Sequence, residues 1–323
     1  MTLKRIAVMT SGGDAPGMNA AIRAVVRTGV HYGLSVYGIR RGYAGMIGGD
    51  MAELDRRAVG GIIQRGGTIL LTARCPQFMT EEGQVEGLRQ LRQRDIDSLI
   101  VIGGNGSLTG ALRLQQMGMP VVGIPASIDN DLARTDMSIG VDTALNTALD
   151  AIDKLKDTAS SHGRAFIVEV MGRHCGWLAL EVGIAGGAEV VLIPEREMAL
   201  ETVAREIKEG YLRGKAHAVI VVAEGARHTT QEVAAYLTQE KVGFEVRVTI
   251  LGHVQRGGTP TAFDRTLATR MGVAAVEALL NGESGVMVGL QGQRVVTVPL
   301  EEVLAAQRPL NPFTLRMEEI LAR

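Results

Sequence analysis

The chain has 323 residues, 46% hydrophobic and 21% charged, with a formal net charge of −1. That length suits about two domains of ~150 residues, and the composition is that of a soluble globular protein. The near-neutral charge speaks against broad binding to nucleic acid or anionic membranes, and an aromatic content of 3% leaves few stacking platforms for single-stranded nucleic acid. Cys75 and Cys175 are too few for a disulfide framework and read as free thiols. No apolar run reaches membrane-span length, and the four apolar residues before Thr10 are too short for a signal-peptide core. A cytoplasmic location is expected.

The chain opens with an apolar strand, Ile6-Ala7-Val8-Met9, that runs into Ser11-Gly12-Gly13-Asp14-Ala15-Pro16-Gly17-Met18-Asn19 and then a helical pattern carrying Arg23 and Arg27. Strand, glycine-rich loop and helix N-terminus in series hold a phosphate on backbone N–H groups and the positive end of a helix dipole. The loop is neither a Walker A sequence nor a dinucleotide Gly-x-Gly-x-x-Gly. Further apolar, β-branched runs follow at residues 99–102, 121–124, 166–171, 219–223 and 246–251. Several of these are nearly continuous in Val, Ile and Leu, as expected for strands buried on both faces of a parallel sheet. Between them the clearest helical stripe is 143–157, with Leu145, Ala148, Leu149, Ile152 and Leu155 on one face and Asp142 as a candidate cap. The alternation predicts an α/β fold with helices on both faces. No short-period repeat and no Pro/Ser linker marks the chain; a domain boundary is expected near residue 138.

In such sheets ligands bind beyond the carboxyl ends of the strands, so the residues just after each strand carry the argument. After 99–102 comes Gly103-Gly104-Asn105-Gly106-Ser107, with a helix expected from about Thr109. After 121–124 comes Pro125-Ala126-Ser127-Ile128-Asp129-Asn130-Asp131. Two carboxylates two residues apart divide roles, one taking a proton from an attacking hydroxyl while the other orients it or helps hold a cation. The later runs end in Gly172-Arg173-His174-Cys175-Gly176, in Glu224-Gly225 and in Gly252-His253-Val254-Gln255-Arg256-Gly257-Gly258. Arginine at a strand end clamps phosphate, and glutamate there accepts sugar hydroxyls. Taken singly, each is equally a tight turn or a solvated loop; as a set they point to phosphoryl transfer from a nucleotide to a hydroxyl of a phosphorylated small molecule.

Together these loops resemble the bacterial 6-phosphofructokinase family over nearly the whole chain. The resemblance implies two similar three-layer α/β domains with mainly parallel sheets and the active site in the cleft between them. Residues 1–138 with 253–305 would form the larger, nucleotide-binding domain, and 139–252 with 306–323 the smaller, sugar-phosphate-binding one. It implies transfer of the ATP γ-phosphoryl, with Mg²⁺, to the 1-hydroxyl of fructose 6-phosphate, in a homotetramer. By position, Asp129 is the general base, with Ser127 and Asp131 beside it, and Arg74 and Arg173 neutralise the moving phosphoryl. Gly12, Tyr43, Arg74, Cys75, Asn105, Gly106, Ser107 and Gly110 border the nucleotide. Met171, Gly172, Arg173, Glu224, His253 and Arg256 hold the sugar phosphate, and Arg164 and Arg247 reach into a neighbouring subunit's site. Arg23, Arg27, Arg56, Lys156, Glu189, Arg213 and Lys215 would bind an effector such as ADP or phosphoenolpyruvate. Arg23 and Arg27 lie four apart, on one helix face; the alternative for such a pair is a solvated face.

The chain departs from that family at three places. Gly-Gly-Asp-Gly-Ser becomes Gly-Gly-Asn-Gly-Ser, so Asn105 offers a metal one carbonyl oxygen and no charge. Pro-Gly-Thr becomes Pro-Ala126-Ser127, and Met79 stands where an Arg is common. These departures motivate an alternative, a catalytically weakened regulatory paralogue that binds sugar phosphate or nucleotide. A second alternative is a pyrophosphate-dependent phosphofructokinase. Gly106 and Ala126 favour ATP over pyrophosphate, because pyrophosphate-using relatives carry bulkier Asp and Lys there.

Overall fold

The computed structural model describes residues 3–321. In chain order the elements are β1 (Arg5–Thr10), α1 (Met18–His31), β2 (Ser35–Ile39), α2 (Gly42–Ile47), β3 (Met51–Glu53), α3 (Glu81–Arg92), β4 (Ser98–Gly103), α4 (Asn105–Gln116) and β5 (Val121–Pro125). There follow α5 (Val141–His162), β6 (Arg164–Val170), α6 (Trp177–Ala185), β7 (Val190–Leu192), α7 (Leu200–Leu212), β8 (Ala218–Ala223), α8 (Thr230–Gln239) and β9 (Glu245–Ile250). The last are α9 (Ala262–Leu280), β10 (Val286–Gln291), β11 (Arg294–Pro299), α10 (Leu300–Ala305) and α11 (Pro312–Leu321). Short 3₁₀ turns cover Pro76–Met79 and Gly252–Arg256. No described helix is long and apolar enough to cross a membrane.

The described residues fall into two compact units. The first runs to Thr143 and resumes over Arg256–Arg308; the second runs Ala144–Gln255 and resumes at Pro309. The first unit is built on a seven-stranded sheet in the order β11-β10-β5-β4-β1-β2-β3. Its inner neighbours are parallel, and the antiparallel β3 and β11 close its two edges. All six residues of β4 are buried, which is why Ser-Leu-Ile-Val-Ile-Gly reads as an unbroken apolar run. On one face, α1 and α9 pack closely because both present small residues, Ala21 and Ala24 against Gly272. The second unit carries a four-stranded parallel sheet, β7-β8-β6-β9.

Two expectations need correction, and one expected strand lies at a sheet edge. The last apolar run forms β9, an edge strand with Val248 and Ile250 exposed, because only β6 pairs with it. The helix after β4 starts at Asn105, since Ser107 N and Leu108 N already bond Gly104 O; Gly106 and Ser107 are thus helical first-turn residues. Asp142 lies inside the first turn of α5 and accepts a hydrogen bond from the Thr261 hydroxyl at 2.5 Å.

The cap of α5 is instead Asp264, a fully buried residue of α9. One carboxylate oxygen accepts from Gly140 N at 2.8 Å; the other accepts from Thr143 N at 2.8 Å and its hydroxyl at 2.6 Å. Burial pushes its pKa up, against the pull of those donors. Removing the carboxylate strands buried N–H groups as well as a cap. Asp264→Ala is therefore expected to lower unfolding free energy by about 2–4 kcal/mol, read from urea denaturation; a loss below ~0.5 kcal/mol would contradict this role.

Candidate active site

In the first unit the carboxyl ends of β1, β4 and β5 lie side by side, with Thr10 opposite Ile102 and Gly103 opposite Pro125. The backbone stitches their loops together: Ser11 N bonds Ile102 O at 3.0 Å and Ala126 N bonds Gly103 O at 3.0 Å. Above them opens a cavity of about 530 Å³, lined among others by Gly12, Arg74, Asn105, Ser107, Asp129 and Arg256. Arg256 crosses the first loop, donating from Nη1 to Asp14 O at 3.2 Å. A Cβ at Gly13 would come within 2.6 Å of that nitrogen, so a larger residue there would displace the Arg256 guanidinium.

Arg74 is exposed, and its loop is pinned from beneath. The Thr10 hydroxyl donates to Leu71 O at 2.9 Å and meets the Thr68 hydroxyl at 2.8 Å; Thr72 donates to Gly12 O at 2.6 Å. Buried Asn19 accepts from Ile69 N and donates to Arg65 O and Gly66 O. Asn19 thus braces the loop from below and does not line the cavity. One wall is a stacked pair, Tyr43 and Phe78, with ring centroids 4.0 Å apart. The Tyr43 hydroxyl donates to Ser107 O at 2.6 Å, and burial drives its pKa far above the usual phenol range. Half-buried Cys75 and Met79, 85% exposed, complete the rim.

Helix α4 begins with no side-chain cap, leaving its first N–H groups for a ligand. Its first residue, Asn105, donates from Nδ2 to Asp131 Oδ2 at 2.8 Å. Ser127 donates to Asp131 Oδ1 at 3.1 Å, and Asp129 N lies 3.4 Å from the same Ser127 hydroxyl. Asn130 is fully buried at φ 50°, donating to Asp136 O and accepting from Ser138 N. It anchors the turn from which Asp129 and Asp131 project into the cavity. Among the described residues no cluster of three or more His, Cys, Asp or Glu could hold a metal. Asn105 and Asp131 together offer one carboxylate and one amide carbonyl, too few ligands for a protein-only cation site.

The second unit gathers its own strand ends. Met171 and Gly172 follow β6, Met171 N bonds Gln255 Oε1 at 2.8 Å, and Arg173 Nε lies 3.9 Å from Glu224 Oε1. The two loops touch so closely that a Cβ at Gly225 would sit 1.9 Å from Arg173 O. Exposed His253 stands in the 3₁₀ turn beside Gln255. Arg164 and Arg247 are not part of this cluster. Arg164 opens β6 at its far end and donates to Glu245 at 2.7 Å, and Arg247 also pairs with Glu245. Arg164's hydrogen bond holds the Glu245 carboxyl below its ordinary range.

Of the expected effector residues, Lys215 Nζ lies 3.1 Å from Glu189 Oε1, and Glu189 Oε2 accepts from Val219 N at 2.6 Å. Lys156 Nζ would lie 3.2 Å from a Cβ at Gly187. Arg213 caps the end of α7. Arg23 and Arg27 sit on α1, and exposed Arg56 follows β3 in the first unit. Phe78 lines the first-unit cavity and was not expected there, although the aromatic in Pro76-Gln77-Phe78 was a signal; Gly13 lines it as part of the expected glycine loop.

Glycine loops beyond parallel strands, an acidic pair and cavity-lining guanidinium groups define an α/β protein that handles phosphate esters. Residues 5–279 match the phosphofructokinase family, and the chain belongs to it. It is 56% identical to an ATP-dependent 6-phosphofructokinase of Thermotoga neapolitana over 99% of this chain and 100% of that one. It is 54% identical to ATP-dependent 6-phosphofructokinase 1 of Thermus thermophilus, with the same coverage. The solved Pichia pastoris phosphofructokinase in the T-state superposes with a TM-score of 0.90 at 40% identity, covering 94% of this chain and 36% of that one.

The Tyr43 hydroxyl ties the cavity wall to α4, so Tyr43→Phe removes a buried hydrogen bond to the Ser107 carbonyl. A loss of about 1–2 kcal/mol in unfolding free energy is expected. An unchanged urea midpoint would show that the bond contributes nothing.

Proposed function

We propose that the chain transfers the γ-phosphoryl group of ATP to the 1-hydroxyl of fructose 6-phosphate, giving fructose 1,6-bisphosphate and ADP, a step of glycolysis. The observation that carries this reading is the first-unit cavity, where Asp129 and Asp131 share a lining with Gly12, Arg74 and Ser107. In this reading Asp129 takes the hydroxyl proton as the sugar oxygen bonds to phosphorus and the bond to the β–γ bridging oxygen breaks. Arg74 and Arg173 neutralise the charge in transit; most of the acceleration is positioning and electrostatics. The first unit is assigned to the nucleotide. The second, with Met171, Gly172, Arg173, Glu224 and His253, is assigned with Arg256 to the sugar phosphate. Mg²⁺ is assigned to the nucleotide as its counter-ion.

ATP as donor is supported by the small residues at the cavity lining. Ala126 lines it, and a Cβ at Gly106 would meet nothing within 4 Å, leaving space that adenosine requires. Near-full-length identity to ATP-dependent enzymes speaks against the pyrophosphate-using and regulatory alternatives. Arg164 and Arg247 are assigned to the active site of a neighbouring copy in a homotetramer. In support, Arg164 stands six residues before Val170 on β6, about 20 Å from its own unit's cluster. Arg23, Arg27, Arg56, Lys156, Glu189, Arg213 and Lys215 are assigned to an effector such as ADP or phosphoenolpyruvate, and the protein to the cytoplasm.

A coupled assay for fructose 1,6-bisphosphate, run with ATP and separately with pyrophosphate, tests the reading. Product is expected with ATP and at least ~100-fold less with pyrophosphate. Asp129→Asn is expected to lower kcat by about 10²–10⁴-fold with little change in KM. Product from pyrophosphate alone, or none from either donor, would overturn the assignment.

A further inference from the structure

The Asp131 carboxylate is held at both oxygens by neutral donors of the chain itself, Asn105 Nδ2 at 2.8 Å and Ser127 Oγ at 3.1 Å. A carboxylate only accepts hydrogen bonds, so the amide nitrogen of Asn105, rather than its carbonyl, must face it. The Ser127 hydroxyl donates a hydrogen bond to Asp131 and in turn accepts from Asp129 N at 3.4 Å. One chain of contacts therefore runs from the first residue of α4 through Asp131 and Ser127 to the backbone of Asp129. Each oxygen of Asp131 in that chain accepts a hydrogen bond from a neutral donor. A carboxylate in place of Asn105 would bring two anionic oxygens to about the same 2.8 Å separation, an arrangement that needs a shared proton or a bridging cation.

The geometry points to Asn105 as a positioning residue that sets the 127–131 loop, and with it Asp129, in the nucleotide-free protein and without a divalent cation. The side-chain amide does mechanically what a bound ion does between two carboxylates. A divalent cation then joins this site only with the ligand oxygens of the nucleotide's phosphates, because the chain alone offers a hydrogen-bonded carboxylate and one amide carbonyl. The inference rests on the reading of Asp129 as the base, but its test does not depend on turnover.

The experiment compares the full-length protein with Asn105→Ala and Asn105→Asp, without nucleotide. Mn²⁺ binding is titrated by electron paramagnetic resonance, and amide hydrogen exchange is followed over residues 126–133. Wild type and Asn105→Ala are expected to bind Mn²⁺ equally weakly, and Asn105→Asp at least ~10-fold more tightly, because ligand charge sets affinity. Exchange in the loop should be slow in wild type with or without Mn²⁺, at least ~10-fold faster in Asn105→Ala, and slowed again by Mn²⁺ in Asn105→Asp. Wild-type Mn²⁺ binding as tight as that of Asn105→Asp would overturn the inference, as would wild-type exchange rates in Asn105→Ala. Should Asn105→Asp fail to fold, the exchange of Asn105→Ala decides alone. A failed donor assay would appear separately, as missing product in the wild-type protein.

Discussion

Two backbone hydrogen bonds, Ser11 N to Ile102 O and Ala126 N to Gly103 O, both 3.0 Å, hold three loops in one register at the ends of β1, β4 and β5. Every candidate group of the first unit's cavity depends on that register. The parallel pairing beneath it is buried on both faces, so a slip by one residue would turn apolar side chains the wrong way and is strongly disfavoured. Rigid strands thus position short loops, and the loops carry the chemistry.

Around this frame the chain spends buried polar groups on bracing. Asn19, Thr10 and Thr72 fix the loop that carries Arg74. Asn130 fixes the turn between the two aspartates, and Asp264 closes the start of α5. Each bonds at least one backbone group, where an unmade hydrogen bond costs most. The second unit uses a different device, steric closeness: the Arg173 and Glu224 loops meet at a position that only glycine fits.

Much of this was legible in the residues. The apolar runs that became β1, β4, β5, β6 and β8 are continuous because both faces are covered, and the segments after them carry Gly12, Asn105, Ser127, Asp129, Asp131, Arg173 and Glu224. β9 lies at the sheet edge: Val246 and Val248 resemble a core strand, while Glu245 and Arg247 mark the edge. The short strands β2, β3 and β7 lack a run long enough to register. The hairpin of β10 and β11 is marked in the sequence by Gly292 between two apolar stretches, and the structure places that glycine at positive φ in the turn. The bracing roles of Asn19 and Asp264 depend on partners 46 to 50 and 121 to 124 residues away, a pairing that no local pattern encodes.

The central claim is that Asp129 takes the proton from the attacking alcohol. A crystal structure with fructose 6-phosphate and a non-hydrolysable ATP analogue tests it most directly. The account predicts an Asp129 carboxylate oxygen about 2.6–3.2 Å from the sugar's 1-hydroxyl, with the γ-phosphate beyond that oxygen. A carboxylate turned away from the 1-hydroxyl, with another base in its place, would contradict it.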